Sequence, residues 1–246
     1  MRARQRHLNP KAAGAYTALD SRFEFSVATG TAISSWVSRT GANDASQATG
    51  ANQPKYTTNA INGQPAILFD GAGDHMTIAT SITSNALSMI SVAHKTAAGG
   101  TGQTYSRITG IWNTADSATT IADYGNTNGW IVAYYDRLAG KFYTLRNSIP
   151  IADFTRGYVP VVVSSVLDGS NVTFTNQGVV ATGTTSATAL NSNEIRFGAS
   201  PYTGAGQDSS LNGYIAYLVY FMSVLSDSLR RRLERGAGYS FKIACS

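Results

Sequence analysis

The stretch "GIWNTADSATTIADYGNTNGWIVAYYDR", Gly110 to Arg137, sets Trp112, Tyr124, Trp130, Tyr134 and Tyr135 among Asn113, Asp116, Asp123, Asn126, Asn128 and Asp136. Sugar recognition uses this combination. An aromatic ring covers the apolar C–H face of a pyranose, while amides and carboxylates exchange hydrogen bonds with its hydroxyls. A second polar loop, "SPYTGAGQDSS", offers Tyr202 and Asp208 as rim contacts. The expected carbohydrate site is Trp112, Asp116, Asp123, Tyr124, Asn126, Asn128, Trp130, Tyr135, Asp136, Tyr202 and Asp208. The competing reading places Trp112, Trp130 and Tyr134 on strands with their rings in a core. Trp36, in "SSW", is read as core.

Covalent and acid–base chemistry finds less support. Glu24, Glu194 and Glu234 are the only glutamates, and no two are close in sequence. There is no G-x-S-x-G elbow, and His7, His75 and His94 are scattered. The run "GGTGQT" lacks the lysine and hydroxyl of a phosphate loop and is read as a turn. One cysteine, Cys245, and three histidines give no zinc-ligand spacing. The expectation is a protein without enzymatic activity.

Strands must position these groups. "PAILFD", "DHMTIA", "LSMISVAHK", "YSRITGIW", "GWIVAYYD", "KFYTLR", "YVPVVVSSVL", "NVTFT", "GVVAT", "EIRFGA" and "GYIAYLVYF" alternate or are apolar throughout, and Gly, Asn, Asp and Ser separate them. "TNQGVV" and "LDGSNV" read as tight turns at Gly178 and Gly169. One helix is expected after Ser226 as N-cap, with Leu225, Leu229 and Leu233 as an apolar stripe. Arg230, Arg231, Arg232 and Arg235 are placed in its later turns, and Gly236 and Gly238 end or loosen it. The fold class is all-β, a two-sheet antiparallel sandwich with one short C-terminal helix. "GYIAYLVYF" becomes a central strand, with a second sheet over one face and loops over the other. The helix is expected to close one open end of the sandwich.

Composition supports this. Only 13% of the 246 residues are charged, against about 25% in an ordinary domain. Of the 19 basic side chains, Arg2, Arg4, Arg6 and Lys11 precede the first acid, leaving 15 against 14 acids. A nucleic-acid groove is not expected of so neutral a body. Residues 1–14 read as a basic arm that anchors a partner, and residues 15–246 as the domain. The N-terminus has no apolar run of a secretory signal, and "YIAYLVYFMSVL" is short of the roughly 20 residues a bilayer needs.

Four segments resemble the concanavalin A-like lectin/glucanase superfamily, in its laminin-G-like branch of jelly rolls. They are "ISSWVSRTGANDASQATGANQPKY", "INGQPAILFDGAGDHMTI", "YVPVVVSSVLDGSNVTFTNQGVV" and the strand–helix ending from Leu211. Tyr217 stands where the ending normally carries an acid. The closing "RGAGYSFKIACS" is similar to phage-encoded members. The resemblance implies a jelly roll, and it raises calcium at Asp70 and Asp74, since relatives hold calcium in loops at a sandwich rim. The glucanase branch sets its acids in an E-x-D-x-x-E pattern on one strand, which is not present here. The function expected is a structural or adhesive virion protein, a phage decoration, fibre or tail-associated subunit. It would bind other virion proteins, further copies of itself and possible host glycans. The alternative is a carbohydrate-binding module of a bacterial surface system.

Overall fold

The computed structural model describes residues 9–23, 25–96, 105–114, 130–136, 141–146, 149–150, 154–155, 158–185, 189–199 and 210–245, by backbone course alone between 130 and 155. The strands are β1 (Thr17–Asp20), β2 (Ser35–Trp36), β3 (Ala45–Ser46), β4 (Lys55–Ile61), β5 (Gln64–Asp70), β6 (Met76–Ile82), β7 (Ala86–Lys95), β8 (Tyr105–Trp112), β9 (Trp130–Asp136), β10 (Lys141–Arg146), β11 (Ile149–Pro150), β12 (Phe154–Thr155), β13 (Val161–Asp168), β14 (Asn171–Asn176), β15 (Val179–Thr184), β16 (Ser192–Phe197) and β17 (Asn212–Phe221). The α-helix α1 (Asp227–Phe241) follows.

The strands form two antiparallel sheets. The first runs β15-β14-β13-β7-β17-β5-β4, and the second runs β11-β10-β9-β8-β16-β6-β3-β2 with β12 beside β10. β5 pairs with the first half of β17, and β1 pairs with the second half, Thr17 opposite Tyr220 and Asp20 opposite Tyr217. A core of Trp36, Phe69, Ile78, Met89, Phe174, Ile195, Phe197 and Leu218 lies between the sheets.

The unbroken apolar run of β17 has a geometric cause. A register shift between Ile215 and Tyr217 interrupts its alternation. Ile215, Leu218 and Tyr220 therefore join the core between the sheets, while Ala216, Tyr217, Val219 and Phe221 join a second cluster on the outer face. Burial of Ile215, Leu218, Val219 and Phe221 contributes roughly 1.5–3 kcal/mol each, so both faces of the strand stabilise the fold.

The second cluster corrects the expected place of the helix. α1 packs on β7 and β13, across the outer face of the first sheet, with Leu233, Ala237 and Phe241 buried there. Helix, and not loop, covers that face of β17. Ser226 caps the helix by accepting from the Leu229 N–H at 3.4 Å. The helix continues through Gly236 and Gly238 to a left-handed cap at Lys242 (φ 55°). Docking of Ala237 and Phe241 on the sheet outweighs the glycine cost. Its arginines thus fall in the first turns and the middle, where Arg230 is buried and reaches Thr175, Glu234 and Asp227 at 2.7, 2.5 and 2.8 Å. Among the described residues, no helix is long and apolar enough to cross a membrane.

The expected turns are present: Gln177 and Gly178 (φ 50° and 89°) link β14 to β15, and Gly169 (φ 61°) turns β13 into β14. Ordered packing begins before residue 15. Pro10 is buried, and Ala13 and Ala15 pack on the second cluster. Lys11 is exposed on this docked turn, and Arg2, Arg4 and Arg6 lie outside the described residues.

Candidate carbohydrate-binding face

α1 covers the β7 and β13 part of the first sheet's outer face; on the outer face of the second sheet Ser46 is exposed, Thr77, Glu194 and Arg196 are partly exposed, and Trp112 is buried. Ile195 and Phe197 of β16 point into the core, so Glu194 and Arg196 between them point outward. They pair with each other, Arg196 Nε donating to Glu194 Oε1 at 2.7 Å. The register extends this face sideways. Arg196 stands opposite Thr77 on β6 and Gly110 on β8, Thr77 stands opposite Ser46, and Glu194 stands opposite Ala79 and Trp112. The result is a strip of hydroxyls around one carboxylate–guanidinium pair.

One end of the strip is bounded by Gln47 and His75. The Gln47 amide nitrogen lies 2.8 Å from His75 Nε2, and His75 Nδ1 lies 2.8 Å from the Gly73 carbonyl. These partners fix the tautomer: Nδ1–H donates to Gly73, and Nε2 accepts from Gln47. Burial lowers the His75 pKa below its ordinary value, which keeps the ring neutral and the network intact. Gln47 Oε1 also accepts from the Thr49 N–H at 2.9 Å. At the other end Asn113 donates to the Asn191 carbonyl at 2.9 Å, and Asn193 holds Thr114 by two bonds of 2.8 and 2.9 Å.

Trp112 does not offer a stacking face. It is 1% exposed, with its ring over Gly110, where a Cβ would come within 2.6 Å of it, and with the Arg107 guanidinium 5.3 Å from its centroid. The glycine leaves room for the indole against the strand, and its burial removes the sugar-stacking role expected of it. Trp36 is fully buried, as its motif suggests. Trp130, Tyr135 and Asp136 lie on β9, whose backbone pairs Trp130 with Ile111, Tyr135 with Ser106 and Asp136 with Tyr105. Asp116, Asp123, Tyr124, Asn126, Asn128, Tyr202 and Asp208 lie outside the described residues. Sequence reasoning missed Gln47, His75, Glu194 and Arg196 as one surface. The alternation in "NEIRF" carried the signal for the last two.

Asp70 and Asp74 shape the loop before β6. Asp70 Oδ1 accepts from the Ala72 N–H at 2.8 Å, and Asp74 Oδ2 accepts from the Asp70 N–H at 3.2 Å. Burial, reinforced by the Asp70 charge, pushes the Asp74 carboxyl up to about 6. Calcium takes six to eight oxygens. Two carboxylates already engaged by turn N–H groups supply a small part of such a cage. Among the described residues no group of three or more His, Cys, Asp or Glu side chains could hold a metal.

No protein-family model and no curated protein matches the chain. Solved structures do. A Trypanosoma rangeli sialidase in complex with sialic acid superposes with TM-score 0.64 at 14% identity, covering 90% of this chain and 33% of that one. A GH54 α-L-arabinofuranosidase soaked with 4-nitrophenyl α-L-arabinofuranoside gives 0.60 at 12%, covering 83% and 50%. An arabinofuranosidase complexed with arabinofuranosyl-α-1,2-xylobiose gives 0.58 at 13%, with the same coverage of 83% and 50%. The chain spans a third to a half of these proteins, and the likeness is one of fold. It corrects the expectation of a non-enzymatic virion attachment protein: this sandwich is a body that glycoside hydrolases use, and that expectation is withdrawn.

Proposed function

We propose that the chain is the carbohydrate-engaging β-sandwich of a carbohydrate-active enzyme, with the glycan lying along the outer face of the second sheet. One observation carries this. α1 packs over β7 and β13 on the first sheet's outer face, while the second sheet's presents Ser46, Thr77, Glu194 and Arg196 in register. Hydroxyls and a paired carboxylate–guanidinium match the alternating donors and acceptors of a sugar. The fold's presence in a sialidase and an arabinofuranosidase supports the same class of ligand. In this reading the sandwich is a jelly roll of the laminin-G-like branch. The "INGQPAILFDGAGDHMTI" motif supports it by spanning the β4–β5 turn, β5 and the start of β6.

The test is calorimetric titration with neutral oligosaccharides carrying terminal arabinofuranosyl or xylosyl units, alongside an assay of sugar release. Wild-type binding that falls at least about tenfold in Arg196→Ala is expected. Absence of both binding and release across the panel refutes the proposal.

A further inference from the structure

A cavity opens on the helix side of the molecule, between α1 and the β1 end of the first sheet. Its volume is about 170 Å³, and Asp20, Arg22, Phe23, Arg39, Tyr217 and Arg232 line it. Three guanidinium groups face one carboxylate. Asp20 is fully buried at the end of β1, and Arg22 closes on it with two bonds, Nε to Oδ1 at 2.9 Å and Nη2 to Oδ2 at 2.6 Å. That pair is complete. Arg39 adds a long contact of 3.5 Å to the same carboxylate, with its side chain 39% exposed. Arg232, exposed on the helix, makes no hydrogen bond or ion pair among the described residues.

Among the described residues, the cavity therefore carries two positive charges beyond its own neutralisation. Two features narrow what they hold. Phe23 is 61% exposed, yet the Arg39 and Arg22 guanidiniums lie 4.2 and 5.0 Å from its centroid and hold the ring in place. An apolar face thus stands beside the cationic groups. The volume is well under the roughly 300–1,000 Å³ of a drug-sized pocket, so one small ring or headgroup fits, and no long chain does. Leu233 and Ala237 of α1 complete an apolar wall.

We propose that this cavity binds the carboxylate-bearing residue of an acidic glycan. The carboxylate is taken by Arg39 and Arg232, and the ring's C–H face meets Phe23. The proposal rests on the carbohydrate reading above and assigns a second subsite, on the helix side and remote from the second-sheet face.

The probe is a glucuronate-terminated oligosaccharide, titrated at low salt beside its glucose-terminated counterpart and inorganic phosphate. The variants are Arg39→Gln, Arg232→Gln and Phe23→Ala, all at exposed side chains that leave the Asp20–Arg22 pair intact, with Arg196→Ala as the control on the other face. Wild type should bind the acidic sugar at least about tenfold more tightly than either the neutral sugar or phosphate. Each arginine variant should lose most of that preference, and Arg196→Ala should keep it. Equal binding of acidic and neutral sugars overturns the proposal, as does phosphate binding as tight as the uronate. So does a preference that survives both arginine changes. If neutral glycans bind in an Arg196-dependent way while the acidic preference is missing, the cavity subsite fails and the proposed function stands. If no glycan of either kind binds, both fail.

Discussion

Gly236 and Gly238 lie two residues apart in one helix, and replacing each by alanine should have opposite effects on stability. A Cβ at Gly236 meets nothing within 4 Å. Alanine there removes the backbone entropy cost of glycine, and a gain of about 0.5–1 kcal/mol is expected. At Gly238 the same gain is offered, but the Cβ would lie 2.7 Å from the Ile243 carbonyl and 2.6 Å from Cys245 Sγ. The backbone there cannot simply retreat. Ile243 N–H donates to the Gly238 carbonyl at 2.8 Å as the chain folds back after the left-handed Lys242. Moving that carbonyl loosens the cap and the buried Ile243, and overpacking of this kind costs about 1–3 kcal/mol. The net expectation for Gly238→Ala is a loss of about 1–2 kcal/mol. Urea denaturation, with the slope compared between variants, measures both changes. A Gly238→Ala, Cys245→Ala double variant separates the two obstacles, and it should stay destabilised because the carbonyl remains. A Gly238→Ala protein as stable as wild type would refute the packing described for the end of the helix.

Two further outcomes are expected. Asp74 titrates near 6 in the fold against an ordinary 3.8, so the folded state holds its proton more tightly; the stability this confers is full below 3.8 and is lost as the pH rises through about 6. Asp74→Asn keeps an oxygen acceptor, so it should melt as wild type does near pH 4 and gain about 2 kcal/mol over it at pH 8, read as the difference between thermal melts. Arg230→Ala strands the buried Glu234, whose carboxylate also accepts from Ser164, and should cost about 3–5 kcal/mol in chemical denaturation, while exchanging the whole pair for apolar side chains (Arg230→Met with Glu234→Leu) should recover most of it.

The layers of the fold are legible wherever one strand face is buried or both are. β7, β13 and β17 announce themselves as apolar runs, and the Gln177–Gly178 turn fixes its hairpin. β4 escapes notice because "KYTTNAI" borders the sheet with mostly polar, half-exposed residues, and β1 because four residues carry no periodicity. The helix's resting place is not legible. Its leucine stripe states that one face is covered, and only its packing on β7 and β13 shows that the cover is the outer face of the first sheet. The candidate site is hidden for a similar reason. Ser46, Thr77 and Arg196 come from three separated segments, and they become neighbours through strand pairing alone. Trp112 misleads because an aromatic among polar residues looks the same in sequence whether its ring stands free or is buried against a glycine.

Backbone amide shifts during titration with the best-binding neutral oligosaccharide test the central claim most directly. The account predicts perturbations gathered on Ser46, Thr77, Glu194 and Arg196, with α1 and the strands beneath it silent. Perturbations confined to the helix side, or spread evenly over the molecule, would contradict it.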